Sequence, residues 1–106
     1  MWKDASAWTG EETEVDIIKA QYAVNGRLAL QMYCEDGPYG RLTVNIDGPV
    51  LGENYAYIDV NNMPGAVRFL ESIGAGEATG YGCASGFVEY PLFRFNEEFL
   101  DGLKEA

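Results

Sequence analysis

Histidine is absent from this chain of 106 residues, and basic residues are few. Without histidine, the Ser-His-Asp and Cys-His catalytic arrangements and every His-containing metal site are excluded. Seven Lys and Arg stand against 17 Asp and Glu, which gives a formal net charge of −10. Such a chain is repelled by nucleic acid and by anionic membranes and is attracted to basic proteins. The acidity could instead serve only solubility.

Cysteine and long apolar segments are also scarce. Cys34 and Cys83 are the only two cysteines, which is too few for a disulfide framework, so we expect both to be reduced and to act as small core residues. The first residues contain no apolar stretch typical of a signal peptide, and no run of about 20 apolar residues follows. We therefore expect a cytoplasmic protein that binds neither membrane nor nucleic acid directly.

Hydrophobic and aromatic residues are plentiful. Hydrophobic residues make up 47% of the chain, with 2 Trp, 7 Tyr and 5 Phe, which indicates a folded protein with one core. The length corresponds to one domain, 1–106. Residues 1–12 are expected to form a loose arm or a first edge segment.

Alternation of apolar and polar residues predicts most of the secondary structure as strands. Strands are expected near 14–24, 27–35, 40–47, 55–60 and 86–95. Asn25-Gly26 is a strong hairpin signal, since both residues tolerate positive φ. Pro91 indicates that the last strand lies at an edge or contains a bulge.

Two segments have helical spacing. A helix is expected over 63–73, with Asn62 as N-cap and Gly74 as the glycine that ends it, and another over 97–105, capped by Asn96. Residues 74–86 are rich in glycine and predict a long loop. The fold class is then α+β: an antiparallel sheet of about five strands, two helices packed on one face, and the order β-β-β-β-α-β-α. The predicted core is Leu30, Val44, Ile46, Ile58, Phe69, Leu70, Ile73 and Leu100.

No motif predicts a catalytic, cofactor or metal site, so we expect a protein that is not an enzyme. The glycine-rich 74–80 follows a helix and lacks the Lys-Ser/Thr ending of a phosphate-binding loop. Asp47, Glu53, Asp59 and Glu89 could form a carboxylate cluster that supports a small enzyme or binds a cation. Solvated charges on the outer face of the sheet are the interpretation that we prefer.

Several short motifs resemble a family of small proteins of unknown function carried by bacterial phages and conjugative elements. They are an Ile-Asp-x-Asn-Asn turn at 58–62, a Thr-Gly pair at 79–80, a Ser-Gly-Phe-x-x-Tyr-Pro block at 85–91 and a Leu-Thr-Val-Asn strand at 42–45. The resemblance spans roughly residues 28–96 and transfers no active site. The resemblance implies a protein that acts in a bacterial host cell and counters host defence. The restriction enzymes and CRISPR complexes of such defences carry basic nucleic-acid channels.

These features together predict an inhibitor that mimics nucleic acid and binds a basic nucleic-acid-binding protein or complex. Carboxylates would replace phosphates, and the tyrosines would supply flat contact surface. The candidate partner-binding residues form two groups, one before and within the first strand and one on the last helix: Glu11, Glu12, Glu14 and Asp16, then Glu97, Glu98, Asp101 and Glu105. The alternative is a non-enzymatic adaptor or assembly domain that pairs through a sheet edge or a Tyr-rich face.

Overall fold

Two mainly antiparallel sheets share one hydrophobic core in the computed structural model, which describes residues 2–4, 14–35 and 37–105. The first sheet contains β1 (Trp2–Asp4), β2 (Glu14–Gln21), β3 (Leu28–Cys34) and β4 (Gly37–Arg41) in that order. A short fifth strand, β9 (Lys104–Glu105), pairs with β2 in the parallel direction. Residues 5–12 of the predicted loose arm lie outside the described residues.

The second sheet has the order β5-β6-β8-β7. Its strands are β5 (Thr43–Val44), β6 (Tyr55–Ile58), β7 (Gly76–Ser85) and β8 (Val88–Phe95). The two helices of the described residues are short: α1 (Ala66–Ser72) and α2 (Glu97–Asp101). In the described part of the chain, no helix is long and apolar enough to cross a membrane.

The predicted α+β fold with one sheet and two packed helices is wrong. The described chain is mostly strand, and the predicted meander divides because the chain leaves the first sheet at Leu42 and enters the second at Thr43. The predicted helix over 97–105 ends at Asp101, and its last residues form β9. Short-range periodicity predicts local strands and turns, but it carries no information on where a chain changes sheets.

The segment predicted as a loop over 74–86 is mostly the ten-residue strand β7. Its glycines and small residues conceal the alternation by which strands are recognised. At Gly76 the glycine is a packing requirement, since a Cβ there would lie 2.0 Å from the carbonyl oxygen of Arg94. β8 is not an edge strand, but Pro91 lies beyond its pairing with β6 and opposite a register shift in β7.

Several local predictions are confirmed. The Tyr22 and Arg27 backbones bond across a turn in which Gly26 has φ +70°, which closes the β2–β3 hairpin. Gly74 has φ +72° and follows Ile73, the C-cap residue of α1, as expected for a helix-ending glycine. Cys34 and Cys83 are free, although both are half-buried instead of in the core.

Side chains of both sheets and of α1 pack together to form the core. It contains Leu30, Ile58, Phe69, Leu70 and Leu100 of the predicted set. Ile73 packs at its margin, whereas Val44 and Ile46 are only half-buried and lie outside it. The largest additions are aromatic or aliphatic side chains of β2, β3 and β8: Val15, Ile17, Met32, Phe93 and Phe95.

Thr43 joins the two sheets through its side chain. The Leu42 N–H donates to the Leu30 carbonyl in the first sheet, but the Leu42 carbonyl accepts from Asp59 N–H at 2.9 Å in the second. In a regular antiparallel pair that carbonyl would have accepted from Leu30 N–H. The Thr43 Oγ1 takes this place, at 3.2 Å from the Leu30 nitrogen, and shares a second hydrogen bond with the Tyr22 hydroxyl at 2.9 Å.

We expect Leu70→Ala to lower the free energy of unfolding by about 2–5 kcal/mol, because Leu70 is fully buried and its truncation leaves a cavity. Chemical denaturation followed by tryptophan fluorescence measures the change. Val24→Ala is the matched control, since Val24 is 91% exposed, and it should alter stability by no more than about 0.5 kcal/mol. Equal midpoints for the two variants would contradict the assigned core.

Thr43→Val should cost about 1–3 kcal/mol, because it keeps the shape of the side chain and leaves the buried Leu30 N–H without an acceptor. Tyr22→Phe should cost less, since the N–H of Leu30 then keeps its bond to Thr43. The same denaturation experiment ranks the two. A Tyr22→Phe variant that is less stable than Thr43→Val would show that the hydroxyl does not act through Leu30.

Candidate functional site: an acidic groove

An open groove of about 1060 Å³ lies where β2, the 50–55 segment and the C-terminal residues meet. Four carboxylates line it, together with two basic side chains and several apolar and amide groups. The carboxylates are Glu53, Glu97, Asp101 and Glu105. We call the cavity that they line the acidic groove. Three of the four belong to the groups predicted from the sequence, and Glu53 is an addition.

Helix α2 positions two of these carboxylates. Leu100 is buried in the core and fixes the rotation of the helix, so that Glu97 and Asp101, four residues apart, share the side facing the groove. Asn96 stands at the N-cap position, but its side chain makes no capping bond. Its amide donates instead to the Gly74 carbonyl at 3.2 Å and ties the start of the helix to the end of α1.

Strand β9 positions the remaining C-terminal carboxylate. Lys104 and Glu105 lie beside Ile18 and Lys19 of β2 in parallel register. The prediction that Glu105 lies on the last helix together with Glu97 and Asp101 is therefore wrong, because α2 ends before it. Glu105 nevertheless reaches the groove from the strand.

Two ion pairs accompany this pairing. The Lys104 Nζ lies 3.7 Å from the Asp16 carboxylate, and the Lys19 Nζ lies 3.6 Å from that of Glu105. They link β2, which carries Asp16 of the first predicted group, to β9, which carries Glu105 of the second. They also neutralise Asp16 and Glu105 in part, so these two carboxylates are poorer candidates for contact with a partner.

The other carboxylates of the groove lack such partners. Among described residues, no basic side chain forms a salt bridge with Glu53, Glu97 or Asp101. The second basic residue of the lining, Arg27, donates to the Ile46 carbonyl at 3.0 Å. The groove therefore has an excess of negative charge, since its four carboxylates outnumber the two basic side chains of the lining.

The other predicted site residues that the structure describes lie apart from the lining. Glu14 is exposed, and it alternates with the buried Val15 and Ile17, as does Asp16. Glu98 is exposed on α2 but does not line the groove. Glu11 and Glu12 lie outside the described residues. The sequence suggested Glu53 only as a member of a possible carboxylate cluster with Asp47, Asp59 and Glu89, and not as a partner-binding residue, because it joins the groove only through tertiary packing.

The tyrosines do not form one face. Tyr57 is buried, and its hydroxyl donates to the Pro49 carbonyl beneath the 47–50 segment. Burial raises the pKa of the Tyr57 phenol, the nearby Cys83 adds to the rise, and Arg27 lowers it. Tyr22 lies beneath the Arg41 guanidinium, 5.8 Å from the ring centre, in a second open cleft. Tyr81 is well exposed on β7.

The carboxylates considered for cation binding are not brought together. Among the described residues no three Asp, Glu or Cys side chains are close enough to hold a metal ion. The Asp59 carboxylate instead accepts from the Asn62 backbone N–H and side-chain amide, at 3.3 and 2.9 Å. These two bonds explain the Asp-x-Asn-Asn pattern at 59–62 as a turn that precedes α1.

Comparison with known proteins identifies a family and nothing closer. No curated protein and no solved structure matches the chain. The family model described as a domain of unknown function, DUF4313, matches residues 16–105. That range contains both sheets except β1 and the first residues of β2, together with all four carboxylates of the acidic groove. The chain therefore belongs to the DUF4313 family.

Proposed function

We propose that this protein is a non-enzymatic inhibitor that binds a basic, nucleic-acid-binding protein of a bacterial defence system. A CRISPR effector or a restriction enzyme is the class of partner that we favour. The acidic groove would present carboxylates where the partner normally binds phosphates. No cofactor takes part in this function.

The gathering of carboxylates around the acidic groove is the observation that carries the proposal. Glu53 arrives from the segment before β6, Glu97 and Asp101 from α2, and Glu105 from β9. Like charges gathered in this way lower the stability of the fold, by roughly a few tenths of a kcal/mol for a pair at helical spacing. A binding role explains why the cost is tolerated.

Charge also suits the kinetics of such an inhibitor. A net charge of −10 steers the chain towards a basic channel and raises the association rate. Carboxylates across an interface contribute to rate and specificity more than to raw affinity. The protein should therefore compete with nucleic acid, because both would occupy the same basic channel of the partner.

The choice of a defence complex as partner rests on the motifs at 58–62 and 85–91. They resemble proteins of phages and conjugative elements, for which an inhibitor of restriction or CRISPR interference is useful. The family itself carries no assigned function. Adaptor or assembly function through a sheet edge remains the second candidate, and the long outer edge of β7 is the feature that favours it.

Charge reversal of the groove tests the proposal. We expect the double variant Glu97→Lys and Asp101→Lys to slow association with the partner about tenfold or more, because it replaces steering attraction with repulsion. Surface plasmon resonance against a CRISPR effector and a restriction enzyme, each with and without its nucleic acid, measures the rates. The wild-type complex should weaken steeply as salt rises from about 50 to about 500 mM.

The double variant Glu71→Lys and Glu89→Lys is the matched control. It changes the net charge equally, at exposed residues of α1 and β8 that do not line the groove. It should keep most of the wild-type association rate, and circular dichroism should show both variants folded. If the two variants behave alike, or if protein and nucleic acid occupy the partner together, mimicry through the groove is wrong.

A further inference from the structure

The outer edge of the second sheet is long and unpaired. β7 covers ten residues, pairs with β8 on one side and has no strand of the described chain on the other. An open strand edge offers a row of N–H and C=O groups to any strand of matching chemistry. Sheet proteins usually block such edges with proline or with charged side chains, especially lysine.

β7 carries almost none of these protective residues. Between Ser72 and Val88 the sequence contains one charged residue, Glu77, and no proline. The Glu77 carboxylate is already bonded to the Arg94 guanidinium of β8. β7 itself therefore adds little to the repulsion between two copies of a chain with a net charge of −10.

Aromatic side chains lie along the same edge. Tyr81 is 71% exposed in β7, and Phe87 is fully exposed, at 109%, in the turn that leads to β8. Gly82, Ala84 and Ser85 between them are also exposed. Small residues allow another backbone to approach closely, and exposed aromatics supply the apolar area on which interfaces depend.

A bulge determines which part of β7 is available. The Thr79 hydroxyl donates to the Leu92 carbonyl at 2.9 Å and accepts from Tyr81 N–H at 3.1 Å. The register of β7 against β8 shifts between Ala78 and Gly82. Residues 82–85 beyond the bulge pair regularly with β8, so their outer side is the straight part of the edge.

From these features we infer that β7 is a self-association edge, where a second copy of this chain adds its own β7 in the antiparallel direction. The pairing is two-fold symmetric and centred on Ala84. Tyr81 and Phe87 lie three residues on either side of Ala84, so the pairing brings Tyr81 of one copy beside Phe87 of the other. A two-fold contact uses the same surface on both copies, which suits an uncharged segment of an acidic chain.

Self-association should appear as a weak, concentration-dependent dimer in sedimentation equilibrium. We expect it to tighten as salt rises, because screening removes the repulsion between two copies of charge −10. The complex of the acidic groove with a basic partner should respond to salt in the opposite direction. Success or failure of one proposal is therefore separate from that of the other.

Ala84→Lys tests the position of the two-fold axis. It sets two like charges against each other at the centre of the contact, although it reduces the net charge of each copy. The dimer dissociation constant should rise about tenfold or more. Val24→Lys makes the same change of charge at an exposed residue of the β2–β3 turn and should leave the constant unchanged or slightly lower.

Phe87→Ser is a second variant, and it should leave the sheet intact because Phe87 is fully exposed in a turn. Loss of an exposed aromatic contact should also raise the dissociation constant, by about tenfold. A monomer at every concentration up to about 1 mM would overturn the inference. So would equal constants for Ala84→Lys and Val24→Lys, or an unchanged constant for Phe87→Ser.

Discussion

The exchange of hydrogen bonds at Leu42 and Thr43 is the constraint on which the arrangement of the two sheets depends. The Leu42 carbonyl bonds to the second sheet, and the Thr43 hydroxyl replaces it on the Leu30 N–H of the first. Thr43 is the single buried polar residue in the described part of the chain. Because its hydroxyl accepts from the Leu30 N–H, the chain can change sheets inside the core without leaving that backbone group unsatisfied.

The position of the acidic groove follows from this crossover and from the closing contact of the chain. β8 of the second sheet leads into α2, and β9 then returns to the first sheet and pairs with β2. The ion pairs of Lys104 with Asp16 and of Lys19 with Glu105 hold that contact. The carboxylates of the groove thus come from distant parts of the sequence but depend on one piece of packing.

Charge divides the surface into two regions of different character. The groove collects more carboxylates than basic side chains, whereas β7 carries one charged residue that is already paired. Long-range repulsion between copies and attraction to basic proteins arise from the same net charge, but they act at different surfaces. The self-association and the partner binding that we propose would therefore use different surfaces.

Local chemistry accounts for what the sequence alone determined. The β2–β3 hairpin at Gly26, the helix end at Gly74 and the burial of Leu30, Ile58, Phe69 and Leu70 follow from backbone tolerance and from apolar spacing. The excess of acidic residues was readable from the composition, and their two groups were readable from the order of the residues. The DUF4313 match agrees with the resemblance to a family of unknown function, although it says nothing on phages or defence.

Tertiary structure alone decided the rest. The division into two sheets, the strand β7 in a glycine-rich segment, the strand β9 in place of a longer helix, and the entry of Glu53 into the groove all depend on contacts between distant residues. Helical spacing at 97–105 is compatible with α2 as far as Asp101, where pairing with β2 takes over. Periodicity describes one segment at a time, and a partner strand far along the chain can outweigh it.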